Sequence, residues 1–151
     1  MPGCEVVILA GGFGSRLKSV LGESVPKPLA LINGVPLIEH QVLQCKKYGF
    51  KRILILLHHL PTVIIEHLGD GSNFDLEIEY SIEEHPRGTA GAIFDSLGLL
   101  ASSFLVIYGD TFFGFSLHQQ HAAAKIIVMA RCIHIETPCE SNRSTCRLFT
   151  H

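Results

Sequence analysis

The chain has 151 residues, of which 47% are hydrophobic and 17% are charged. This length suits one domain with its own core, and this composition excludes a chain that is disordered throughout. The formal net charge of −2 at pH 7 excludes the basic footprint of a protein that binds nucleic acid or a membrane surface. No apolar run reaches the ~20 residues of a membrane span, and no basic segment precedes the first apolar run as in a signal peptide. We therefore expect a cytoplasmic protein without nucleic-acid or membrane partners.

Apolar patterns divide the chain into alternating strands and helices. Short apolar runs, and strict alternation over 76–82 that is typical of a strand near a sheet edge, predict strands at residues 5–10, 52–57, 76–82, 104–108 and 126–130. Helical spacing predicts helices at residues 36–48, 62–68, 89–100 and 117–124, with a helical turn near 16–21. Residues 136–151 show no period and are expected to form an irregular tail, which is open to interpretation as a frayed end, a linker or part of a longer domain.

The alternation of strands and helices predicts an α/β fold. We expect a Rossmann-like three-layer sandwich, with a mostly parallel sheet and helices on both of its faces. In such sheets, ligands bind outside the carboxyl ends of the strands. The loop after the first strand and Asp110, which follows the strand at 104–108, both fall at such ends. Both are therefore candidates for one functional edge.

The first candidate site is the loop that follows strand 5–10. Gly11, Gly12 and Gly14 allow positive φ angles and a close approach of the backbone to a ligand. Consecutive amides in such a loop form a nest for anions. Ser15 adds a hydroxyl donor, and Arg16 adds a forked cation that suits phosphate oxygens. This pattern favours phosphate binding over a tight turn that holds no ligand.

Two common phosphate loops fit this segment poorly. A P-loop ends in Gly-Lys-Ser/Thr, which is absent here. A dinucleotide-binding loop has the pattern GxGxxG, and Leu17 stands where its third glycine belongs. The loop therefore indicates a different class of phosphate site.

The second candidate is Lys27, which lies between Pro26 and Pro28. Flanking prolines stiffen the backbone and so aim the ammonium group. Taken alone, such a lysine is more often solvated in a polyproline stretch. Because it follows the glycine loop closely, we expect it to fold back over the same phosphates.

The third candidate is the segment that joins strand 76–82 to the next helix. Glu83 has a carboxylate that could accept from two adjacent N–H donors, as on the Watson–Crick edge of guanine. Gly88 permits close backbone approach, and Thr89 suits a helix cap or a ligand donor. Plain helix capping explains Glu83 about equally well.

The fourth candidate is Asp110, which follows Gly109 at the end of a buried strand. An aspartate at this place is a common Mg²⁺ ligand. Capping of a helix by a loop aspartate is an equal alternative.

In this order, the strings LAGGFGSRL, PKPL, EEHPRGTAGAI and VIYGD make the sequence resemble the sugar-phosphate nucleotidyltransferase family. In detail, the residues of these motifs are most similar to those of guanylyltransferases that act on heptose or mannose 1-phosphate. The resemblance implies catalytic roles for two cations, Arg16 and Lys27, and a Mg²⁺ ligand at Asp110. It implies a nucleotide-binding role for Gly11, Gly12, Gly14, Ser15, Glu83, Gly88 and Thr89. Residues 1–135 would form the nucleotide-binding domain, followed by the irregular tail at 136–151.

The activity implied by the resemblance is the transfer of a nucleoside monophosphate from a nucleoside triphosphate to a sugar 1-phosphate. GTP is the favoured nucleotide donor, and Mg²⁺ is the expected cofactor. Assembly into a homo-oligomer is left as an open alternative. The family's catalytic domain is longer than this chain, and no aspartate follows Asp110. The alternative is therefore a non-catalytic regulatory module that binds a nucleotide or nucleotide-sugar, or an inactive fragment.

Overall fold

Strands and helices alternate along the chain in a computed structural model, which describes residues 3–12, 25–85, 88–110, 127–133 and 145–149. The strands are β1 (Cys4–Leu9), β2 (Leu31–Ile32), β3 (Val35–Pro36), β4 (Arg52–Leu57), β5 (Glu77–Ile82), β6 (Leu100–Tyr108), β7 (Ile127–Ile133) and β8 (Thr145–Phe149). The α-helices are α1 (Leu37–Lys47), α2 (Pro61–Leu68) and α3 (Gly88–Asp95), and short 3-10 helices span Lys27–Leu29, Ser72–Phe74 and Leu97–Leu99. No helix within the described ranges is long and apolar enough to span a membrane.

The main sheet of the described chain has the strand order β5-β4-β1-β6-β7-β8. The first four of these strands are parallel, whereas β7 and β8 join antiparallel. β1 lies in the middle, with Val6 paired to Ile53 of β4 on one side and to Leu105 of β6 on the other. The parallel part therefore has the doubly wound order, and its direction of winding reverses between β1 and β6. β2 and β3 form a separate hairpin.

The core lies on both faces of the parallel strands, because successive side chains of a strand point to opposite faces. On one face, Val6 and Ile8 of β1 pack with α1 and α2, and on the other Val7 packs with α3. All three of these side chains are fully buried. Full burial of each aliphatic side chain stabilises the fold by ~1.5–3 kcal/mol. The predicted Rossmann-like sandwich of three layers is therefore confirmed, and β5 lies at a sheet edge as predicted.

The helix predicted at 89–100 is too long. α3 ends at Asp95, and Leu100 already belongs to β6. The hydroxyl of Ser96 donates to the carbonyl of Ala92 at 2.9 Å, and the chain then turns into a short 3-10 helix. A serine side chain competes with the backbone for such carbonyls, which favours the end of a helix over its continuation.

Pairing of the last strands extends regular structure beyond the predicted limits. β6 starts at Leu100, four residues before the predicted start, and β8 lies inside the segment 136–151. The prediction of an irregular tail is therefore wrong for Thr145–Phe149. β8 is held by antiparallel pairing with β7. The local hydrophobic pattern of a segment does not reveal that it will pair with another strand. The boundary at residue 135 stays a prediction, and the turn and helix predicted at 16–21 and 117–124 lie outside the described residues.

Candidate functional site

The carboxyl ends of three neighbouring strands are tied together by backbone hydrogen bonds. The amide of Ala10, just after β1, donates to the carbonyl of Leu56 in β4 at 2.9 Å. The amide of Gly109, just after β6, donates to the carbonyl of Leu9 in β1 at 2.9 Å. The glycine loop and Asp110 therefore start from adjacent positions at the edge where the sheet reverses its winding. This is the edge at which doubly wound sheets bind ligands.

Gly11 and Gly12 begin the glycine loop, and neither has a φ angle in the left-handed region. The positive φ angles that glycine allows are therefore not adopted at these two positions. A Cβ on Gly11 would lie 3.3 Å from Cβ of His58, so close packing against that residue favours glycine. A Cβ on Gly12 would meet no atom of the described residues within 4 Å. The predicted site residues Gly14, Ser15 and Arg16 lie outside the described residues.

Gly109 is required by close approach between β6 and β1. A Cβ at this position would lie 2.6 Å from the carbonyl oxygen of Leu9 and 3.1 Å from Cα of Ala10. Both of these are backbone atoms of a paired strand, so they cannot move aside as a flexible side chain would. The tight packing holds the residue before Asp110 beside the carboxyl end of β1.

Lys27 and Asp110 form an ion pair at this edge. The Lys27 Nζ atom donates to Asp110 Oδ2 at 2.8 Å, although 83 positions separate the two residues. The backbone of Lys27 begins a 3-10 turn, in which the amide of Ala30 donates to the Lys27 carbonyl at 3.0 Å, instead of the extended form typical of polyproline. The side chains are 30% and 52% exposed, so solvent screens the pair and its contribution to stability is small. The ion pair brings two predicted site residues together.

Glu83 follows β5, and both backbone groups of this residue are held by the end of β4. The Glu83 amide donates to the carbonyl of Leu57 at 2.9 Å, and the Glu83 carbonyl accepts from Nδ1 of His58 at 2.8 Å. Gly88 has a φ of 75°, which favours glycine, and none of the described atoms lies within 4 Å of the place of a Cβ. The close approach of this backbone to a ligand stays a prediction. Thr89 is exposed inside the first turn of α3, after the first helical residue Gly88, which argues against the role of a helix cap. The alternative role of a ligand donor stays a prediction.

Two residues near this edge, His58 and Gln41, are not among the predicted site residues. His58 Nδ1 bonds to the Glu83 carbonyl at 2.8 Å, and its Cβ would lie 3.3 Å from a Cβ added to Gly11. Gln41 of α1 is 1% exposed, and its Nε2 atom donates at 2.9 Å to the carbonyl of Tyr108, two residues before Asp110. The available signal was its place in the apolar stripe of the helix, between Ile38 and Val42 at helical spacing.

A comparison with known protein families gives a match over residues 5–138 to the model described as "Nucleotidyl transferase". The chain belongs to the nucleotidyl transferase family. This match confirms the resemblance drawn from the four motifs. It covers β1 to β7 and every predicted site residue.

Relatives in the family include D-glycero-alpha-D-manno-heptose 1-phosphate guanylyltransferase of Campylobacter jejuni. That protein is 39% identical over 113 residues, which cover 75% of this chain and 50% of the relative. N-acetylmuramate alpha-1-phosphate uridylyltransferase of Neisseria meningitidis is 41% identical over 110 residues, which cover 70% of this chain and 46% of that protein. The chain thus spans about half the length of these two relatives.

Solved structures of family members share the fold of this chain. HddC from Yersinia pseudotuberculosis matches with a TM-score of 0.67 and 37% identity, covering 77% of this chain and 52% of HddC. HddC complexed with GMP-PN matches with a TM-score of 0.64 and 36% identity, covering the same shares. The family fold therefore accommodates a ligand described as GMP-PN in one member.

The predicted Mg²⁺ site has one described residue, Asp110. No group of three or more His, Cys, Asp or Glu side chains that could hold a metal lies among the residues the structure describes. In phosphoryl-transfer sites, Mg²⁺ commonly takes one or two carboxylates and completes its shell with phosphate oxygens and water. A half-exposed carboxylate at the edge expected to bind phosphate fits this donor set.

Proposed function

We propose that this chain carries the nucleotide-binding half of a sugar-1-phosphate nucleotidyltransferase. The reaction transfers a nucleoside monophosphate from a nucleoside triphosphate to a sugar 1-phosphate and releases pyrophosphate. The observation that carries the proposal is the convergence of Lys27 and Asp110 beside the start of the glycine loop, at the edge where the sheet reverses its winding. Family members named for such transfers to heptose and N-acetylmuramate 1-phosphates support it.

In the proposed mechanism, an oxygen of the sugar 1-phosphate attacks the α-phosphorus of the nucleoside triphosphate. The bond between the α-phosphorus and the bridging oxygen breaks, and pyrophosphate leaves with the electron pair. The nucleophile is already an anion, so no side chain has to remove a proton. Catalysis then depends on positioning and on neutralising negative charge.

Two cationic side chains would supply most of that neutralisation from the chain itself. The ammonium group of Lys27 already lies at the edge, aimed by the 3-10 turn. Arg16 of the glycine loop would bind phosphate oxygens through its planar fork. Mg²⁺, held by Asp110 and by phosphate oxygens, would add further positive charge. Before a ligand enters, the carboxylate of Asp110 balances the charge of Lys27.

We propose GTP as the preferred donor. Glu83 would accept from the two adjacent N–H groups on the Watson–Crick edge of guanine, and both backbone groups of this residue are held in place. The relative named a guanylyltransferase favours this base, while the relative named a uridylyltransferase shows that bases differ within the family. Base preference therefore has to be measured directly.

The test incubates the 151-residue chain with Mg²⁺, each of the four nucleoside triphosphates and a panel of sugar 1-phosphates. Release of pyrophosphate is followed over time. We expect release with GTP together with heptose or mannose 1-phosphate. Binding of a triphosphate without release would contradict turnover by this chain and would favour the regulatory alternative. No binding to any triphosphate would reject the nucleotide site itself.

A further inference from the structure

His58 lies between the two parts of the proposed nucleotide site because of the strand order. It is the first residue after β4, and β4 is flanked by β1 and β5. The glycine loop follows β1, and Glu83 follows β5 directly. The carboxyl ends of these parallel strands meet at one edge, so the phosphate segment and the base-reading segment lie on opposite sides of His58.

The contacts of His58 reach both sides. Its Nδ1 atom bonds to the carbonyl oxygen of Glu83 at 2.8 Å. A carbonyl oxygen only accepts, so Nδ1 must carry the proton. On the other side, a Cβ added to Gly11 would lie 3.3 Å from Cβ of His58. The histidine therefore holds the backbone of Glu83, while its own Cβ lies so near Gly11 that a side chain at that position would be crowded.

We propose that His58 is a positioning residue for the nucleobase, holding Glu83 at a fixed separation from the phosphate loop. This inference rests on the proposed function, in which Glu83 reads the base. The hydrogen bond from Nδ1 sets the Glu83 backbone, and the Glu83 carboxylate meets the base. His58 itself need not touch the nucleotide. Loss of the bond should therefore weaken recognition of the base and leave recognition of the phosphates unchanged.

A pair of variants of similar shape separates this role from packing. His58→Asn keeps an N–H donor bonded to Cγ, as Nδ1 is in histidine, whereas His58→Leu has similar size and no donor. His40→Leu is the matched control, because His40 Nε2 also bonds to a backbone carbonyl, that of Ile32, at 3.0 Å in the β2–β3 hairpin. Calorimetric titration would measure the affinity of the full chain for GTP and for inorganic tripolyphosphate, which lacks the base.

We expect His58→Leu to weaken GTP binding by about tenfold, and tripolyphosphate binding by less than about twofold. His58→Asn should restore GTP affinity to near the wild-type value, and His40→Leu should leave both affinities unchanged. Equal loss of GTP and tripolyphosphate in His58→Leu would assign His58 a general structural role and overturn the inference. Unchanged GTP binding in His58→Leu would also overturn it.

Folding and the proposed function are checked in the same series. If His58→Leu fails to fold by circular dichroism, His58→Asn decides, since wild-type affinity for GTP supports the donor role and a tenfold loss contradicts it. A wild-type chain that binds no nucleoside triphosphate would reject the proposed function, and the inference with it. A wild-type chain that binds GTP, with His58→Leu unchanged, rejects the inference alone.

Discussion

At the scale of single residues, the glycines that follow β1 and β6 at the functional edge have different structural roles. Gly109 leaves room for the backbone of β1, whereas a Cβ on Gly12 would have no close neighbour in the part of the chain that the structure describes. Gly11 lies between these extremes, because it packs against a side chain. The sequence alone marks all three positions as glycine, and it does not reveal which of them serve packing. That distinction depends on β1 and β6, which are far apart in the sequence.

Alanine at Gly109 should destabilise the fold more than alanine at Gly12. The added methyl at Gly109 meets the Leu9 carbonyl oxygen at 2.6 Å, so β6 or β1 has to shift, at a cost of about 1–3 kcal/mol. The added methyl of Gly12→Ala meets none of the described atoms within 4 Å, and the free energy of unfolding of this variant should stay within about 0.5 kcal/mol of wild type. Denaturation in urea measures both. Equal stability of the two variants would refute the packing role of Gly109.

Lys27→Ala should reduce turnover far more than nucleotide affinity. The ammonium group is expected to act on charge that develops during transfer, so its removal should lower kcat about 100-fold or more. Pyrophosphate release gives kcat, and titration with GTP gives the affinity. Lys47→Ala is the control, because Lys47 is an exposed lysine at the end of α1. Near wild-type turnover in Lys27→Ala would remove this lysine from the chemistry.

At the scale of elements, α1 connects the core to the functional edge. Its apolar stripe packs on the sheet, and Gln41 within that stripe holds the carbonyl of Tyr108 at the end of β6. Leu43 of this helix is apolar and yet 43% exposed, whereas the polar Gln41 is 1% exposed. The spacing of apolar residues predicts that a helix forms, but it predicts less accurately which side of that helix is buried.

Gln41→Met should destabilise the fold although it nearly conserves side-chain volume. It removes the N–H donor and leaves the Tyr108 carbonyl without that bond, at an expected cost of about 1–3 kcal/mol in the free energy of unfolding. Leu43→Gln on the same helix, at an exposed position, should change stability by less than about 0.5 kcal/mol. Thermal and urea denaturation compare the two. A Gln41→Met protein as stable as wild type would show that the bond contributes little.

At the scale of the whole molecule, much of the fold is predictable because the central strands β1 and β4 are buried on both faces. Such strands read as continuous apolar runs, and Arg52–Leu57 was predicted with its observed bounds. The alternation of strands and helices then predicts the fold class, and it predicts that the loops after the parallel strands lie at one edge of the sheet. The β7–β8 pairing, the ion pair of Lys27 with Asp110 and the contacts of His58 were not predictable. Each of these contacts joins segments that are separated in the sequence, and the local pattern of apolar residues gives no sign of it.

The stability of the whole domain should fall as the pH rises above 9. Burial raises the pKa of Cys45 from 9.0 to about 12. The unfolded thiol therefore loses its proton first, so the unfolded state binds fewer protons and the free energy of unfolding declines between these two values. Cys4 acts in the same direction, since burial and then the charge of Glu79 raise its pKa to about 11.

Urea denaturation at pH 8, 9 and 10 measures this decline, and Cys45→Ala is the matched variant. Alanine removes the thiol, so its stability should decrease less steeply with pH than that of wild type, although its absolute stability is lower at pH 8 because of the cavity. Parallel pH profiles for the two proteins would contradict the contribution of Cys45. Reaction of native Cys45 with an alkylating reagent at pH 8 should be slow for the same reason.

The central place of β1 has a consequence for how the chain folds during synthesis. β1 is made before its partner β6, which begins about 90 residues later in the chain. At ~5–20 residues per second, the ribosome needs roughly 5–20 s to deliver that partner. During this time the apolar run of β1 has only β4 to pair with, and the edge that will hold Asp110 does not exist. Closing such a long loop also makes folding slow, so the functional edge is among the last parts of the domain to form.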